Sequence, residues 1–112
     1  MNLEFDDKHL LILDVVVVAL EKELGIINTD LEGRYEKVRT CETNLGNFMC
    51  DILMNTVEID CALLNGGSLR SDRIHPAGPF KFKDLRDILS FETELIVLSI
   101  TGIYKKVVFE VK

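Results

Sequence analysis

The sequence contains few of the residues that mark disordered, disulfide-rich or metal-binding chains. Its 112 residues include 2 prolines, 7 glycines, 3 cysteines, 2 histidines and no tryptophan. Disordered and linker regions are rich in proline, glycine and small polar residues, so this composition argues against a disordered chain. With 47% hydrophobic and 29% charged residues, the sequence predicts a globular chain of one domain or part of one.

Long apolar segments are also missing. The main apolar run extends from Leu10 to Leu20 and is interrupted by Asp14. A helix that crosses a bilayer needs about 20 apolar residues, so we predict no membrane span. The N-terminal MNLEFDDKH is acidic where a secretory signal would be basic, and no small-residue cleavage site follows it. We therefore predict no signal peptide, which leaves the location of the protein open.

Positive charge is scarce. The chain has 13 Lys and Arg residues against 19 Asp and Glu residues, which gives a formal net charge of −6. An acidic surface repels the phosphate backbone, so we predict no general binding of nucleic acid. A local anion site is still compatible with the sequence, because five basic residues fall close together: Arg70, Arg73, Lys81, Lys83 and Arg86.

Cysteine and histidine are too few for a metal site. Cys41, Cys50 and Cys61 form no CxxC pair; we expect free thiols, with one disulfide as the alternative. Asp7 and His9 have the DxH spacing of a dinuclear metal site, but the further His, Asp and Asn ligands are missing. We therefore expect this chain to bind no metal or other cofactor.

Apolar periodicity predicts alternating helices and strands, which is an α+β (mixed α/β) fold class. An all-round apolar helix is expected first, and Asn44 to Met54 has a helical repeat that Thr43 or Asn44 can cap. The predicted helices are 7–23, 44–54 and 84–89; the predicted strands are 25–31, 60–64 and 94–101; residues 73–80 are expected to form a loop, and the tail 104–112 is ambiguous.

A glycine-containing turn follows the second predicted strand and carries the strongest ligand-binding signal. Gly66 and Gly67 can adopt positive φ, bring the backbone close to a ligand and direct amides toward an anion. Arg70 can grip a phosphate with two parallel hydrogen bonds, and Asn65 adds a neutral donor. The alternative is a tight turn beside a solvated arginine, because short glycine motifs match by chance.

Two further residues are candidates for the same site. Arg39 could supply a second guanidinium to one anion, and the ring of Phe91 could stack on a base or a sugar. A core position is the alternative for Phe91, since phenylalanine is often buried. The neighbouring Asn44 and Asn47 are better explained as helix-start residues than as ligands.

Three blocks, read together, resemble the C-terminal domain of the 5'-nucleotidase and UDP-sugar hydrolase family. The family pattern runs R-x-x-E-x-N-x-G-N-x-x-x-D, then N-G-G-x-x-R, then G-x-x-x-x-x-D-L-x-x-I-L-P-F. This sequence has RTCETNLGNFMCD, NGGSLR and GPFKFKDLRDILSF in the same order. The resemblance covers nearly the whole chain, and one departure is Ser90 in place of the usual proline.

The resemblance implies a substrate-binding role in nucleotide catabolism. It assigns phosphate contacts to Arg39, Asn65 and Arg70 and a base-stacking role to Phe91. It further implies a partial domain at residues 25–112, a linker-like helix at residues 1–24, and a metallophosphatase domain, in cis or in trans, that holds two divalent metal ions. The expected ligand is a nucleotide or a related phosphoester such as a sugar phosphate, and the alternative is a non-catalytic nucleotide-binding module or an inactive fragment. Members of the family are typically secreted, surface-bound or periplasmic.

Overall fold

A computed structural model describes residues 17–89 and 95–102 of the chain. Its strands are β1 (Glu23–Ile27), β2 (Leu31–Glu32), β3 (Ile74–His75) and β4 (Gly78–Lys81); its helices are α1 (Tyr35–Val38), α2 (Asn44–Val57) and α3 (Phe82–Ile88), with a 3-10 turn at Gly66–Ser68. Helices and small antiparallel sheets are mixed along the chain, so the fold is α+β, as predicted.

Helix α2 forms where the apolar repeat predicts it. The Thr43 hydroxyl accepts a hydrogen bond from the Gly46 amide at 3.2 Å and caps the helix start. Leu45 and Met49, one turn apart, are buried at 0% and 3% exposure. The helix continues three residues beyond the predicted Met54 and ends at Val57; the next residue, Glu58, has a φ of 55°, which places it in the left-handed region.

The two sheets are short antiparallel pairs that the sequence did not reveal. β1 pairs with β4, with Ile26 opposite Pro79, and β2 pairs with β3, with Leu31 opposite His75. The prediction of a loop over residues 73–80 is therefore wrong. Pro79 lacks an amide proton but is tolerated, because β4 is an edge strand in a two-stranded sheet.

The other predicted boundaries need correction as well. The predicted helix 7–23 lies mostly outside the described residues; within them, residues 17–20 are helical, and β1 already begins at Glu23. The predicted strand 25–31 is divided between β1 and β2. Pairing with β3 and β4 fixes these ends, and this tertiary constraint overrides local propensity.

Two predicted strands do not form. Residues 60–64 and 95–101 adopt no regular structure among the described residues, although both are apolar. A strand is stabilised by hydrogen bonds to a partner strand, and neither segment has one within the described part of the chain. Residue 94 and the predicted tail 104–112 lie outside the described residues.

The core lies between α2, α3 and the two sheets. Its buried members are Leu31, Val38, Leu45, Met49, Leu69, Phe80 and Ile88. Phe48 and Phe80 meet edge to face with ring centroids 5.9 Å apart. Burying one such side chain contributes about 1.5–3 kcal/mol. Because Val38 and Leu69 are both core residues, the core holds α1 and the 3-10 turn in fixed positions near each other.

Candidate anion-binding site

The candidate site is formed where α1 meets the segment that contains the 3-10 turn. The Asp72 carboxylate accepts a hydrogen bond from the Tyr35 amide at 2.8 Å and so caps the start of α1. Arg39 is the residue that ends this four-residue helix. The chain order thus places a tyrosine and an arginine four positions apart, which brings their side chains to the same face of a helical turn.

Gly66 allows the turn to lie directly against α1. A Cβ atom at this position would stand 2.3 Å from the Val38 carbonyl oxygen and 3.5 Å from the Arg39 Cα atom. The close approach predicted at this glycine is present, but its partner is the backbone of α1. Positive φ is not used here, since Gly78 is the described glycine that adopts it.

The Gly67 amide makes a hydrogen bond within the turn. It donates to the Asn65 side-chain oxygen at 3.1 Å, so Asn65 caps the 3-10 turn from an exposed position. The expectation that both glycine amides are directed toward an anion is therefore wrong for Gly67. The Gly67 carbonyl accepts a long hydrogen bond from Arg70 Nη1, at 3.4 Å.

The structure brings Arg39 and Arg70 to the same aromatic ring. The guanidinium carbon of Arg39 lies 4.1 Å from the centroid of the Tyr35 ring, and that of Arg70 lies 5.6 Å from it. Both guanidinium groups therefore lie beside the ring of Tyr35. The main chain of Arg70 is anchored separately, because its amide donates to the Ile88 carbonyl at 2.8 Å.

Tyr35 is the site residue that sequence reasoning missed. Its hydroxyl donates to the Arg70 carbonyl at 3.0 Å, and its ring packs against the core. The available signal was the spacing of Tyr35 and Arg39 by four residues, but the contact with Arg70 depends on tertiary structure. Phe91, the predicted base-stacking residue, lies outside the described residues.

Polar residues at the start of α2 make contacts within the fold, although the capping residue is Thr43 and not Asn44 or Asn47. The Asn44 side chain accepts from the Glu32 amide at 2.8 Å and donates to the Asp30 carbonyl at 2.7 Å. The Asn47 amide donates to the Glu42 carboxylate at 3.0 Å. These residues join α2 to the preceding segments, and that structural role explains their presence.

Three other members of the basic cluster form ion pairs. Arg73 contacts Asp84 at 3.0 Å and Asp87 at 3.2 Å. Lys81 and Lys83 contact Glu21 at 2.6 and 2.8 Å. The negative charge of these carboxylates offsets the positive charge of the cluster. Hydrogen bonds from Lys81 and then Lys83 lower the pKa of the Glu21 carboxyl to about 2. The cluster is therefore mostly an ion-paired surface.

His75 is a core residue of β3. It is 2% exposed, its Nε2 lies 2.8 Å from Ser71 Oγ, and its Nδ1 is a buried atom without a hydrogen-bond partner. Burial, and then the nearby Arg73 guanidinium, lower its pKa, while Asp84 and Asp87 act in the opposite direction.

The described residues do not fit a metal centre. No three His, Cys, Asp or Glu side chains come together as ligands within residues 17–89 and 95–102. Cys41, Cys50 and Cys61 are free thiols, as expected. In the same part of the chain, no helix is both long enough and apolar enough to span a bilayer.

An open hollow of about 470 Å³ is lined by neither of the two arginines. It is lined by Leu53, by residues 58–63 at and beyond the end of α2, and by residues 95–100. Its walls are mainly apolar side chains, several of which are well exposed, such as Ile96 at 71% and Leu98 at 76%. Because neither Arg39 nor Arg70 lines it, we do not assign it to the anion-binding site.

Comparison with known proteins identifies the family. The profile described as "5'-nucleotidase, C-terminal domain" matches residues 17–111. The chain is 32% identical over 83 residues to Protein UshA of Escherichia coli K12, and 31% identical over 85 residues to the trifunctional nucleotide phosphoesterase protein YfkN of Bacillus subtilis 168. These matches cover 74% and 72% of this chain.

A solved structure gives the same result. The crystal structure of the 5'-nucleotidase precursor from Thermus thermophilus matches with a TM-score of 0.60 and 28% identity over 74% of this chain. The chain spans only 15% of the E. coli protein, 6% of the B. subtilis protein and 17% of the T. thermophilus chain. Since the family profile covers most of the sequence, the chain belongs to the family of 5'-nucleotidase C-terminal domains.

Proposed function

We propose that this chain is the substrate-binding part of a 5'-nucleotidase-type phosphoester hydrolase. Arg39 and Arg70 bind the phosphate group of a nucleotide, Asn65 adds a neutral donor, and Phe91 stacks against the base. The observation that carries the proposal is the approach of both guanidinium groups to the ring of Tyr35, at 4.1 and 5.6 Å. The names of two similar proteins, a nucleotide phosphoesterase and a 5'-nucleotidase, support a nucleotide ligand.

Two guanidinium groups explain how an acidic chain can bind an anion. The net charge of −6 repels anions at long range, but salt screens that repulsion beyond about 10 Å. Within the site, each guanidinium offers a planar fork of donors that matches the oxygens of a phosphate. A charge-assisted hydrogen bond of this kind contributes about 1.5–3 kcal/mol.

The two glycines of the turn serve the same site in different ways. Gly66 lets the turn contact Val38, the residue before Arg39, because a side chain at position 66 would clash with the Val38 carbonyl. Gly67 accepts a hydrogen bond from Arg70 through its carbonyl oxygen at 3.4 Å. Their contribution is to position the arginines.

In this proposal the chain binds and orients the substrate, and the hydrolytic chemistry belongs to a metallophosphatase domain supplied in cis or in trans. Residues 25–112 carry the binding site, and residues 1–24 connect it to that domain. Orientation is a large part of what proteins contribute to phosphoryl transfer. No step is assigned to a metal bound by the described residues, because they do not fit one.

A non-catalytic nucleotide-binding module is the second candidate function. Within residues 17–89 and 95–102, it agrees with the finding that no three His, Cys, Asp or Glu side chains group as metal ligands. A sugar phosphate or another phosphomonoester is the alternative ligand, because contacts to a phosphate do not read the group attached to it.

Calorimetric titration of the full chain tests the proposal. The ligands are adenosine monophosphate, adenosine, inorganic phosphate and glucose 6-phosphate. We expect adenosine monophosphate to bind, and Arg39→Ala or Arg70→Ala to weaken it by about 10- to 150-fold, which corresponds to the loss of one charge-assisted interaction. Arg86→Ala removes the same charge from an exposed position on α3 and serves as the matched control.

Unchanged affinity in Arg70→Ala would contradict the site assignment. Stronger binding of adenosine monophosphate than of inorganic phosphate would support a base contact, whereas equal binding of glucose 6-phosphate would favour the sugar-phosphate alternative. Measuring phosphate release in the same samples, with and without divalent metals, shows whether the chain is an enzyme or a non-catalytic binding module. We expect none from this chain alone, and metal-dependent turnover that survives removal of contaminating phosphatase would show the opposite.

A further inference from the structure

Tyr35 is held at both ends, in a way that a simple core tyrosine does not require. Its amide donates to the Asp72 carboxylate at 2.8 Å, and its hydroxyl donates to the Arg70 carbonyl at 3.0 Å. Both partners belong to the segment that follows the 3-10 turn, while Tyr35 itself begins α1. The ring therefore spans the junction of the two chain segments that supply the guanidinium groups.

The ring also lies within reach of both positive charges. Its centroid is 4.1 Å from the guanidinium carbon of Arg39 and 5.6 Å from that of Arg70, and both distances are within the range of cation–π attraction. Two guanidinium groups held beside one ring repel each other, and each arginine side chain has many rotamers to lose on ordering. A ring that attracts both groups opposes the repulsion and restricts the rotamers before any ligand arrives.

We propose that Tyr35 is the positioning residue of the phosphate subsite: its ring holds Arg39 and Arg70 as a pair that receives one anion, and its hydroxyl fixes the ring to the turn segment. This inference rests on the proposed function, and it adds a residue that does not itself contact the phosphate. Preorganised groups bind more tightly because less conformational freedom is lost on binding. Tyr35 contributes to affinity in this way, through the two arginines.

Substitutions at Tyr35 that distinguish the contribution of the ring from that of the hydroxyl test this role. Tyr35→Leu removes the aromatic face and retains an apolar side chain; we expect adenosine monophosphate and inorganic phosphate to bind about tenfold more weakly, which is the loss of two exposed cation–π contacts. Tyr35→Phe retains the ring and is expected to weaken binding less than Tyr35→Leu. Phe82→Leu replaces an exposed aromatic residue on α3 and is the matched control.

A double-mutant cycle distinguishes positioning from a general structural effect. If Tyr35 acts through Arg39, then Tyr35→Leu has a smaller effect on affinity in the Arg39→Ala background than in the wild type. Equal effects in both backgrounds, with circular dichroism showing folded variants, would overturn the inference. So would equal losses in Tyr35→Phe and Tyr35→Leu, because the ring would then contribute nothing.

Nuclear magnetic resonance of the free chain separates this inference from the proposed function. A ring that faces two guanidinium groups shifts the side-chain proton resonances of Arg39 and Arg70, and Tyr35→Leu should abolish those shifts. If the wild type binds none of the ligands but the shifts are present and lost in Tyr35→Leu, the proposed function fails while the arrangement of the arginines by Tyr35 stands. Absence of the shifts would overturn the inference even if the ligands bind.

Discussion

Gly66 is the glycine of the candidate site where a single added methyl group should clash with the backbone. In Gly66→Ala the new Cβ atom would stand 2.3 Å from the Val38 carbonyl oxygen and 3.2 Å from the Val38 carbonyl carbon. Both are backbone atoms, so no side-chain rotation can relieve the clash. The 3-10 turn must therefore move away from α1, or α1 must shift within the core.

Gly67→Ala, one residue away, is the matched control. Its Cβ atom would lie 3.5 Å from the Asn65 side-chain oxygen, an ordinary contact with a side chain. Neither glycine has positive φ, so replacement by alanine gives both variants a similar benefit of about 0.4–1 kcal/mol through the unfolded state. That benefit cancels in the comparison, and the clash alone decides the difference.

Insertion of a methyl group into a packed region costs about 1–3 kcal/mol. We therefore expect the free energy of unfolding of Gly66→Ala to be about 1–3 kcal/mol below that of Gly67→Ala. Urea denaturation followed by far-ultraviolet circular dichroism measures this difference, provided that the two variants have the same m-value. Equal midpoints would refute the claim that the turn lies against the α1 backbone at Gly66.

Two further predictions concern the core around the site. Thr43→Ala removes the cap of α2 and should lower the free energy of unfolding by about 1 kcal/mol; Thr43→Ser should restore most of it, and a loss in both would show that the Thr43 methyl group, not the hydroxyl, matters. Burial lowers the pKa of His75 from its ordinary value near 6.5, so the unfolded state binds the proton more readily. Its contribution to stability is complete above pH 6.5 and is lost as the pH falls below that value. His75→Gln should reduce this pH dependence; denaturation midpoints between pH 7 and pH 5 that fall as steeply in His75→Gln as in the wild type would contradict the role of His75.

Elements with strong local signals could be predicted from the sequence. Helix α2 has an apolar repeat and a threonine cap, and both act within one helical turn, so its start was predicted correctly. Helix α3 was predicted as well, with its start two residues too late. Boundaries were less predictable, because the end of α2 at Val57 depends on the left-handed Glu58, which has no consistent sequence signal.

Elements that depend on a distant partner could not be predicted. Strand β4 contains Pro79, which in isolation indicates a loop, and it forms because β1 pairs with it. Residues 60–64 and 95–101 show the reverse: their composition favours strands, yet they remain without regular structure in the described part of the chain. β-propensity measures the fit to a neighbouring strand, so it predicts little when that neighbour is unknown.

The candidate site, too, could be predicted from the sequence only in part. Arg39, Asn65 and Arg70 were proposed from their residue types and from the family pattern, but no local rule could indicate that two of them approach one ring. Tyr35 and Arg70 are 35 positions apart in the sequence, yet the Tyr35 hydroxyl contacts the Arg70 carbonyl. A contact of this kind arises only when the core brings α1 and the turn together.

The contacts that build the site come from a limited part of the chain. Tyr35, Asp72, the turn around Gly66 and the Ile88 carbonyl that anchors Arg70 all lie within residues 35–88. The exposed apolar residues 95–100 lie along a separate hollow and make none of these contacts. The candidate site therefore depends on the packing of α1 against the 3-10 turn, and a substitution in residues 95–100 should affect solubility or association before it affects the arginines. Under the proposed function the base stacks on Phe91, which lies outside the described residues, so the two halves of the proposed ligand are expected to respond to different substitutions.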